Sequence, residues 1–315
     1  MARYLIKRLL SSALVLLGLS LLAFFVVRLV PGDTVDVMLG LNYDEAAAKA
    51  LRERLRLDEP LPVQYAAWLG NFVTGDWGQT TRGLPVRAEL TRGMAVTLEL
   101  AGLALLFALG IGLPLGLAAA ARQGKPLDSS ASVVGVLGLS VPAFWLGTML
   151  ILVFSLMLDW LPSGGYVEPT RDLAANLRHM LLPAIALGLA VLAVLMRTTR
   201  SAMLEVLDKD HVRTAWSKGM KPSTVYIKHV ARNGLIPVLT IAGLQVGYLL
   251  GGSIVIEEVF TLPGMGRLVI RALGERDYAT LQATILLIGI IFLLVNFLVD
   301  MLYAWADPRM SVGES

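Results

Sequence analysis

His211–Pro237, HVRTAWSKGMKPSTVYIKHVARNGLIP, is a basic segment punctuated by Gly219 and Pro222 and set between two apolar runs. Upstream, Met180–Met196 contains no Asp, Glu, Lys or Arg, and downstream Asn233–Ile256 contains none either. Across 197–232, eight basic residues (Arg197, Arg200, Lys209, Arg213, Lys218, Lys221, Lys228 and Arg232) stand against Glu205, Asp208 and Asp210. The spacing predicts two short helices. The first is capped by Asp208 or Asp210, carries Ala215 and Trp216, and ends at Gly219 in the left-handed conformation. The second restarts at Pro222-Ser223 and runs through Thr224–Arg232. A cationic hairpin tied at both ends to apolar segments is a docking surface, not a catalytic one.

Outward from the hairpin, the same alternation fills the chain. Of 315 residues, 56% are hydrophobic and only 16% charged, against about 25% charged in soluble domains. Six stretches carry no Asp, Glu, Lys or Arg: Leu9–Val27, Leu100–Ala121, Ser129–Leu158, Met180–Met196, Asn233–Ile256 and Tyr278–Val299. Each is long enough to cross roughly 30 Å of hydrocarbon as a helix. As buried helices of a soluble protein they would leave too few polar faces to cover them. The expected fold is therefore an all-α integral membrane protein with six transmembrane helices.

Charge placement orients it. Arg3, Lys7 and Arg8 precede the first span, and the hairpin has a basic excess. The 31–96 stretch holds seven basic and nine acidic residues, and 257–277 three and four. Lys and Arg excess thus alternates as the positive-inside rule requires, which places both termini and the hairpin in the cytoplasm. The N-terminal run is longer than a secretory core and is followed by no small-residue cleavage site, so a retained anchor is expected. The implied division is a first membrane helix at 1–30, an extracytoplasmic segment at 31–94, a membrane core at 95–304 containing the loop 205–237, and a cytoplasmic tail at 305–315.

Smaller features follow. Pro31-Gly32-Asp33 ends the first span. Tyr43–Leu57 has helical composition, with Asn42 or Asp44 as cap and Glu53 and Arg56 spaced to pair. Trp68, Phe72 and Trp77 suit either the membrane–water interface or the core of a small extramembrane lobe. Pro114 and its flanking glycines mark a kink in the second span, and Pro142 interrupts the third. Gly243, Gly247 and Gly251 recur every four residues, as on a close-packing helix face or as glycines incidental to a membrane helix. Glu257, Glu258 and Asp277 fall on the outer side, where they could meet a binding protein or a substrate ammonium, or be solvated loop charges.

Several chemistries are excluded or disfavoured. With no cysteine, disulfides and thiolate chemistry are impossible. His179, His211 and His229 are scattered, and no metal-ligand spacing or HExxH motif occurs. Gly78 and Gly83 have Walker-like spacing, but Leu84-Pro85 stand where Lys and Ser/Thr are needed. No carboxylate or histidine lies within the six runs, where an ion-coupled carrier usually needs one. The hairpin shares the outline of a DNA-binding helix-turn-helix, but no domain supports it, so nucleic acid is not an expected partner. A basic loop gripping anionic lipid is a further alternative, although the Ala–Gly–Pro punctuation specifies a shape that lipid attraction does not require.

Ala215, Gly219 and Ile236-Pro237, with His229 and Asn233 between them, resemble the cytoplasmic EAA loop of binding-protein-dependent ATP-binding cassette importers. The long Gly219-to-Pro237 spacing resembles the dipeptide, oligopeptide and nickel branch. Similar to that family are also Pro31-Gly32-Asp33, Leu57-Asp58-Glu59-Pro60-Leu61 with Gln64-Tyr65, Gly251-Gly252-Ser253 with Glu257, Leu262-Pro263-Gly264-Met265-Gly266, Arg276-Asp277-Tyr278 and Asp307-Pro308-Arg309. Two departures are Thr34, where proline is frequent, and Arg213-Thr214 in place of the leading glutamate.

The resemblance implies a type I importer permease that catalyses nothing and binds no cofactor. ATP-Mg would be used by two cytoplasmic ATPase partners, beside a homologous second permease and an extracytoplasmic substrate-binding protein. Arg213, Thr214, Ala215, Lys218, Gly219 and Met220 would form the ATPase-coupling element, with Ala215 and Gly219 as its small-residue contacts. Di- or oligopeptides are the expected cargo and nickel or another small solute the alternative, across the bacterial or archaeal cytoplasmic (inner) membrane.

Overall fold

The computed structural model describes residues 2–29, 35, 44–55 and 58–306. Pro31-Gly32-Asp33, Asn42, Arg56, Leu57 and Asp307-Pro308-Arg309 lie outside the described residues. The rest is helical: α1 (Ala2–Leu29), α2 (Glu45–Leu55), α3 (Leu61–Thr74), α4 (Val86–Ala121), α5 (Pro126–Ser140), α6 (Ala143–Leu150), α7 (Leu173–Leu207), α8 (Asp210–Ser217), α9 (Pro222–Thr224), α10 (Arg232–Val259), α11 (Met265–Gly274) and α12 (Tyr278–Ala306). A π-helical turn, Ile151–Met157, extends α6, and another, Val225–Ala231, joins α9 to α10. Among the described residues the only β pairing is an isolated bridge between Gln79 and Pro85.

Four helical stretches are long and apolar enough to span a membrane: Val86–Ala121, Leu173–Leu207, Pro237–Val259 and Tyr278–Val299. The N-terminal helix contributes a shorter apolar stretch, Leu10–Val26. Between Ser129 and Leu158 the chain is not one straight helix. Pro126–Ser140 and Ala143–Met157 meet at 102°. Proline disfavours helical conformation in the preceding residue, and Val141 accordingly sits at φ −84°, ψ 122°. Pro114 and Pro183, by contrast, lie inside continuous helices.

The chain divides into two units. The first takes the described residues up to Val96 together with Pro263–Leu293. In it, α3 is fastened to α1. Ser20 Oγ lies 2.6 Å from the Tyr65 hydroxyl, and Arg28 donates to Gln64 Oε1 at 2.6 Å. The Arg28 guanidinium also sits 3.5 Å above the Phe24 ring. Rings continue this contact from Phe24 through Tyr65, Trp68 and Phe72 to Trp77. Trp68, Phe72 and Trp77 thus belong to one aromatic row, in which Phe72 is buried and the two tryptophans are half-buried. Gly75, at φ +88°, ends α3 with a paired turn in which Gly75 N–H donates to Phe72 O and Asp76 N–H to Asn71 O.

The second unit takes Thr97–Leu262 and the described residues from Leu294 onward. It is built around α7, whose Met180, Leu187, Val191, Leu195 and Met203 are fully buried. Neighbouring helices reach α7 through glycine. A Cβ at Gly116 of α4 would lie 2.6 Å from Met196 O, and one at Gly138 of α5 would lie 3.1 Å from Ala193 Cβ. In lipid, apolar surface gains nothing by association, so close van der Waals approach through small residues is what holds helices together.

This packing makes a test. Gly116→Leu forces side-chain atoms into α7 backbone and should cost about 1–3 kcal/mol. Gly102→Leu, where a Cβ meets nothing within 4 Å, should leave stability unchanged. Thermal melting of the purified variants in detergent is expected to separate them.

Candidate functional site

The hairpin forms as its punctuation requires. Gly219, at φ +69°, ends α8. Its N–H donates to Trp216 O at 2.9 Å, while Met220 N–H reaches Ala215 O at 3.4 Å. This is the six-to-one, five-to-two closure that a left-handed residue permits at a helix end. Pro222 opens α9, where its missing N–H is no loss. The expected cap is absent. Asp210 is already inside the first turn, Lys209 holds the cap position without a side-chain bond, and Asp208 ends α7.

The hairpin has two faces. Val212, Ala215, Val225 and Val230 pack into one buried cluster with Ala120 at the end of α4 and Met203 on α7. Each fully buried valine or methionine there contributes about 1.5–3 kcal/mol relative to exposure to water. Arg213, Thr214, Trp216, Lys218 and Gly219 are exposed and Met220 is half-buried. Ala215 is only 4% exposed, so its small size serves the packing of α8 on its own molecule. The outward face is therefore cationic, with the edge of Trp216 meeting Tyr226 at 6.2 Å between ring centres. The alternation of Val212 and Ala215 with Arg213, Thr214 and Trp216 is the sequence signal for this split.

Other expected positions separate. Gly243 is buried against Val299, Gly247 is half-buried, and Gly251 is exposed with open space around it. Glu257 has no exposed surface. It accepts a hydrogen bond from Thr97 Oγ1 at 2.7 Å, within the apolar stretch Pro237–Val259, so it is neither a solvated loop charge nor clear of the apolar spans. Glu258 is exposed. Asp277, 5% exposed, caps α12: it accepts from Thr280 N at 3.1 Å, Thr280 Oγ1 at 2.8 Å and Thr81 N at 3.3 Å. The pattern Asp-x-x-Thr before an apolar run is the cap signal that sequence reasoning passed over.

Two polar pairs in the second unit were also missed. Asp128 of α5 meets Arg200 of α7 in a fork, with Nε to Oδ1 at 2.5 Å and Nη2 to Oδ2 at 2.9 Å. Asp128 directly precedes the charge-free run Ser129–Leu158, which was the available clue. In the loop between Met157 and Leu173, Tyr166 donates its hydroxyl to Glu99 Oε2 at 2.7 Å. Burial first, and then the Glu99 carboxylate, push the Tyr166 phenol above its ordinary value. The same loop is held where α10 ends, because Gly165 N–H donates to Phe260 O at 2.9 Å. Among the described residues no group of three metal-binding side chains occurs.

Most of the chain matches known families. The model for the binding-protein-dependent transport system inner membrane component matches residues 112–312. The model for the N-terminal part of such membrane components matches residues 1–84. The chain belongs to the binding-protein-dependent transport family.

This permease is 43% identical to the di/tripeptide transport system permease protein of Pseudomonas aeruginosa, over 93% of this chain and 94% of the relative. It is 38% identical to the dipeptide transport system permease protein of Alkalihalophilus pseudofirmus, over 98% and 99%. It is also 38% identical to the oligopeptide transport system permease protein of Bacillus subtilis, again over 98% and 99%. Among solved structures, a chain of the MetNI methionine ABC transporter in an inward-facing conformation superimposes with a TM-score of 0.60. That match has 19% identity and covers 71% of this chain and 98% of the other. The permease is therefore a multi-pass membrane protein with the fold of a type I importer subunit.

The site chemistry carries two tests. Asp277→Ala should destabilise the first unit by about 1 kcal/mol, and Asp277→Asn, which keeps an oxygen for Thr280 N–H but has no second acceptor for Thr81 N–H, should cost less than Asp277→Ala without being neutral; detergent melting curves measure the difference. For Tyr166, the fold disfavours the phenolate. The stability this adds is complete below the unfolded tyrosine value of about 10 and is lost as pH rises through the higher folded value. An alkaline melting series should show this decline in the native permease and lose it in Tyr166→Phe.

Proposed function

We propose that this permease forms half of the translocation pathway of an ATP-driven importer for di- and oligopeptides, in the cytoplasmic membrane. Its partners are a homologous second permease, two cytoplasmic ATPases and an extracytoplasmic binding protein. The names of the relatives, peptide permeases matched nearly end to end, support the cargo. The observation that carries the mechanism is the two-faced hairpin. Its valines are buried against α4 and α7, and Arg213, Thr214, Lys218 and Gly219 face outward as the surface for an ATPase.

Six crossings follow if α1 and the bent pair α5–α6 each count as one. The charge-free Leu10–Val26 stretch of α1 reaches about 25 Å as a helix, enough for a thin or locally adapted bilayer. Both termini and the hairpin then share the cytoplasmic side, as the Lys and Arg excess of the N-terminus and of the hairpin requires. The chain itself catalyses no reaction and holds no cofactor. Work enters when closing ATPases move α8. Because α8 is packed on the ends of α4 and α7, those helices tilt and access to the pathway alternates.

Gly219 tests this reading. A Cβ there would meet nothing within 4 Å, so a side chain disturbs only the left-handed backbone and whatever docks outside. Gly219→Trp should abolish peptide uptake while leaving the complex assembled and hydrolysing ATP. Gly219→Asn, which tolerates this conformation, should retain most uptake. Normal uptake by Gly219→Trp contradicts the coupling role. The purified permease alone should hydrolyse no ATP above background.

A further inference from the structure

The buried cluster beneath the hairpin includes no residue of the bent pair α5–α6. The hairpin rests on the ends of α4 and α7. From there α5 is reached along two routes, through the short turn Arg122–Lys125 that leaves α4, and across the face it shares with α7. That face consists of small and apolar residues. Ala131 packs with Ala119 and Met196, a Cβ at Gly135 would lie 3.0 Å from Met196 Cε, and Gly138 abuts Ala193. Contacts of this kind are non-directional, and in lipid nothing hydrophobic drives them. They permit one helix to slide or roll on the other.

One interaction on that face is directional. Asp128 is 5% exposed and receives both Nε and Nη2 of Arg200. A planar fork on a carboxylate fixes orientation as well as distance. The same carboxylate accepts the Gly124 N–H at 3.0 Å, which brings the α4–α5 turn into the joint. Gly124 is at φ +73°, a conformation suited to glycine. Three elements therefore meet on one side chain: the turn from α4, the first turn of α5, and α7 just before Met203 beneath the hairpin. At the far end of the bent pair, Gly147 of α6 lies against Phe260, where α10 ends; a Cβ there would be 3.0 Å from the ring.

We propose that the Asp128–Arg200 pair is the joint through which movement of the coupling hairpin is transmitted to the bent pair α5–α6, making both positioning residues for transport. The proposal rests on the importer reading above. With the fork intact, α5 follows α7 as a rigid body and carries α6 toward the end of α10. Without it, α7 moves and α5 slips.

The test uses the full complex in proteoliposomes, with its ATPases, second permease and binding protein. The permease has no cysteine, so Ser130→Cys on α5 and Ser201→Cys on α7, both exposed, give a spin-label pair once any cysteines of the partner subunits have been replaced. In the unaltered pair, the label distance should be the same without nucleotide and after trapping with ATP and vanadate. In Asp128→Asn it should differ between the two states. A distance that shifts in the unaltered pair, or that stays fixed in Asp128→Asn, overturns the proposal.

The second readout is the number of labelled peptides, from a mixture of di-, tri- and tetra-alanine, delivered per ATP hydrolysed. It should fall about fivefold in Asp128→Asn, within the usual coupling of contacting residues. Arg200→Lys, which keeps the charge and loses the fork, should fall between. A merely structural ion pair would lower uptake and hydrolysis together and leave the ratio unchanged, which also overturns the proposal. Where Asp128→Asn fails to accumulate, Arg200→Lys carries both measurements by the same criteria. Absence of ATP-dependent uptake by the unaltered complex would count against the peptide reading alone, because the label distances need no peptide.

Discussion

The seating of one amphipathic hairpin on the ends of two membrane helices governs the rest of this permease. Val212, Ala215, Val225 and Val230 turn inward onto Ala120 and Met203, which seats α8 on the ends of α4 and α7. The opposite face keeps its charges in solvent. In the coupling role proposed above, this separation permits a surface element to receive force from outside the bilayer while its other side remains part of the membrane core. A hairpin tethered only by its two chain connections would pivot freely and deliver nothing.

The membrane core beneath it follows different rules. Water does not drive helix association there, and the permease uses close approach instead. Gly112 and Gly116 lie on α7, Gly188 on Ala104, and Gly252 on Leu187. Polar groups appear sparingly, and three carboxylates at the edges of the spans are engaged by donors. Thr97 donates to Glu257, Tyr166 to Glu99, and Arg200 to Asp128. The cost of a buried carboxylate is large unless it is paired or hydrogen-bonded, which is why the carboxylates edging the spans are tied to donors.

What the sequence disclosed followed from the reach of each signal. The helical class and the long spans were legible because a charge-free run of that length is stable as a helix in hydrocarbon and has no polar face to offer water. The hairpin was legible because Gly219 and Pro222 act locally, through allowed backbone conformations that need no partner. The α8 cap was misplaced because Asp208 and Asp210 compete for one position, and the α7 helix simply runs on to Leu207. Glu257 was misread as an outer charge because a carboxylate at the end of an apolar run has the same local pattern whether it points to solvent or to Thr97. The Asp128–Arg200 fork joins residues far apart in sequence, and pairing across helices follows from register that no local motif encodes. The third span illustrates both cases: Pro142 announced a break, but the 102° turn comes from how α5 and α6 pack separately.

The central proposal is that the outward face of α8 lies inside the cell. Because the permease contains no cysteine, single substitutions Thr214→Cys and Thr74→Cys, both at exposed positions, can be probed with a membrane-impermeant maleimide. The account predicts that Thr74→Cys is labelled in intact cells and that Thr214→Cys is labelled only after the membrane is opened. Labelling of Thr214→Cys in intact cells would contradict it.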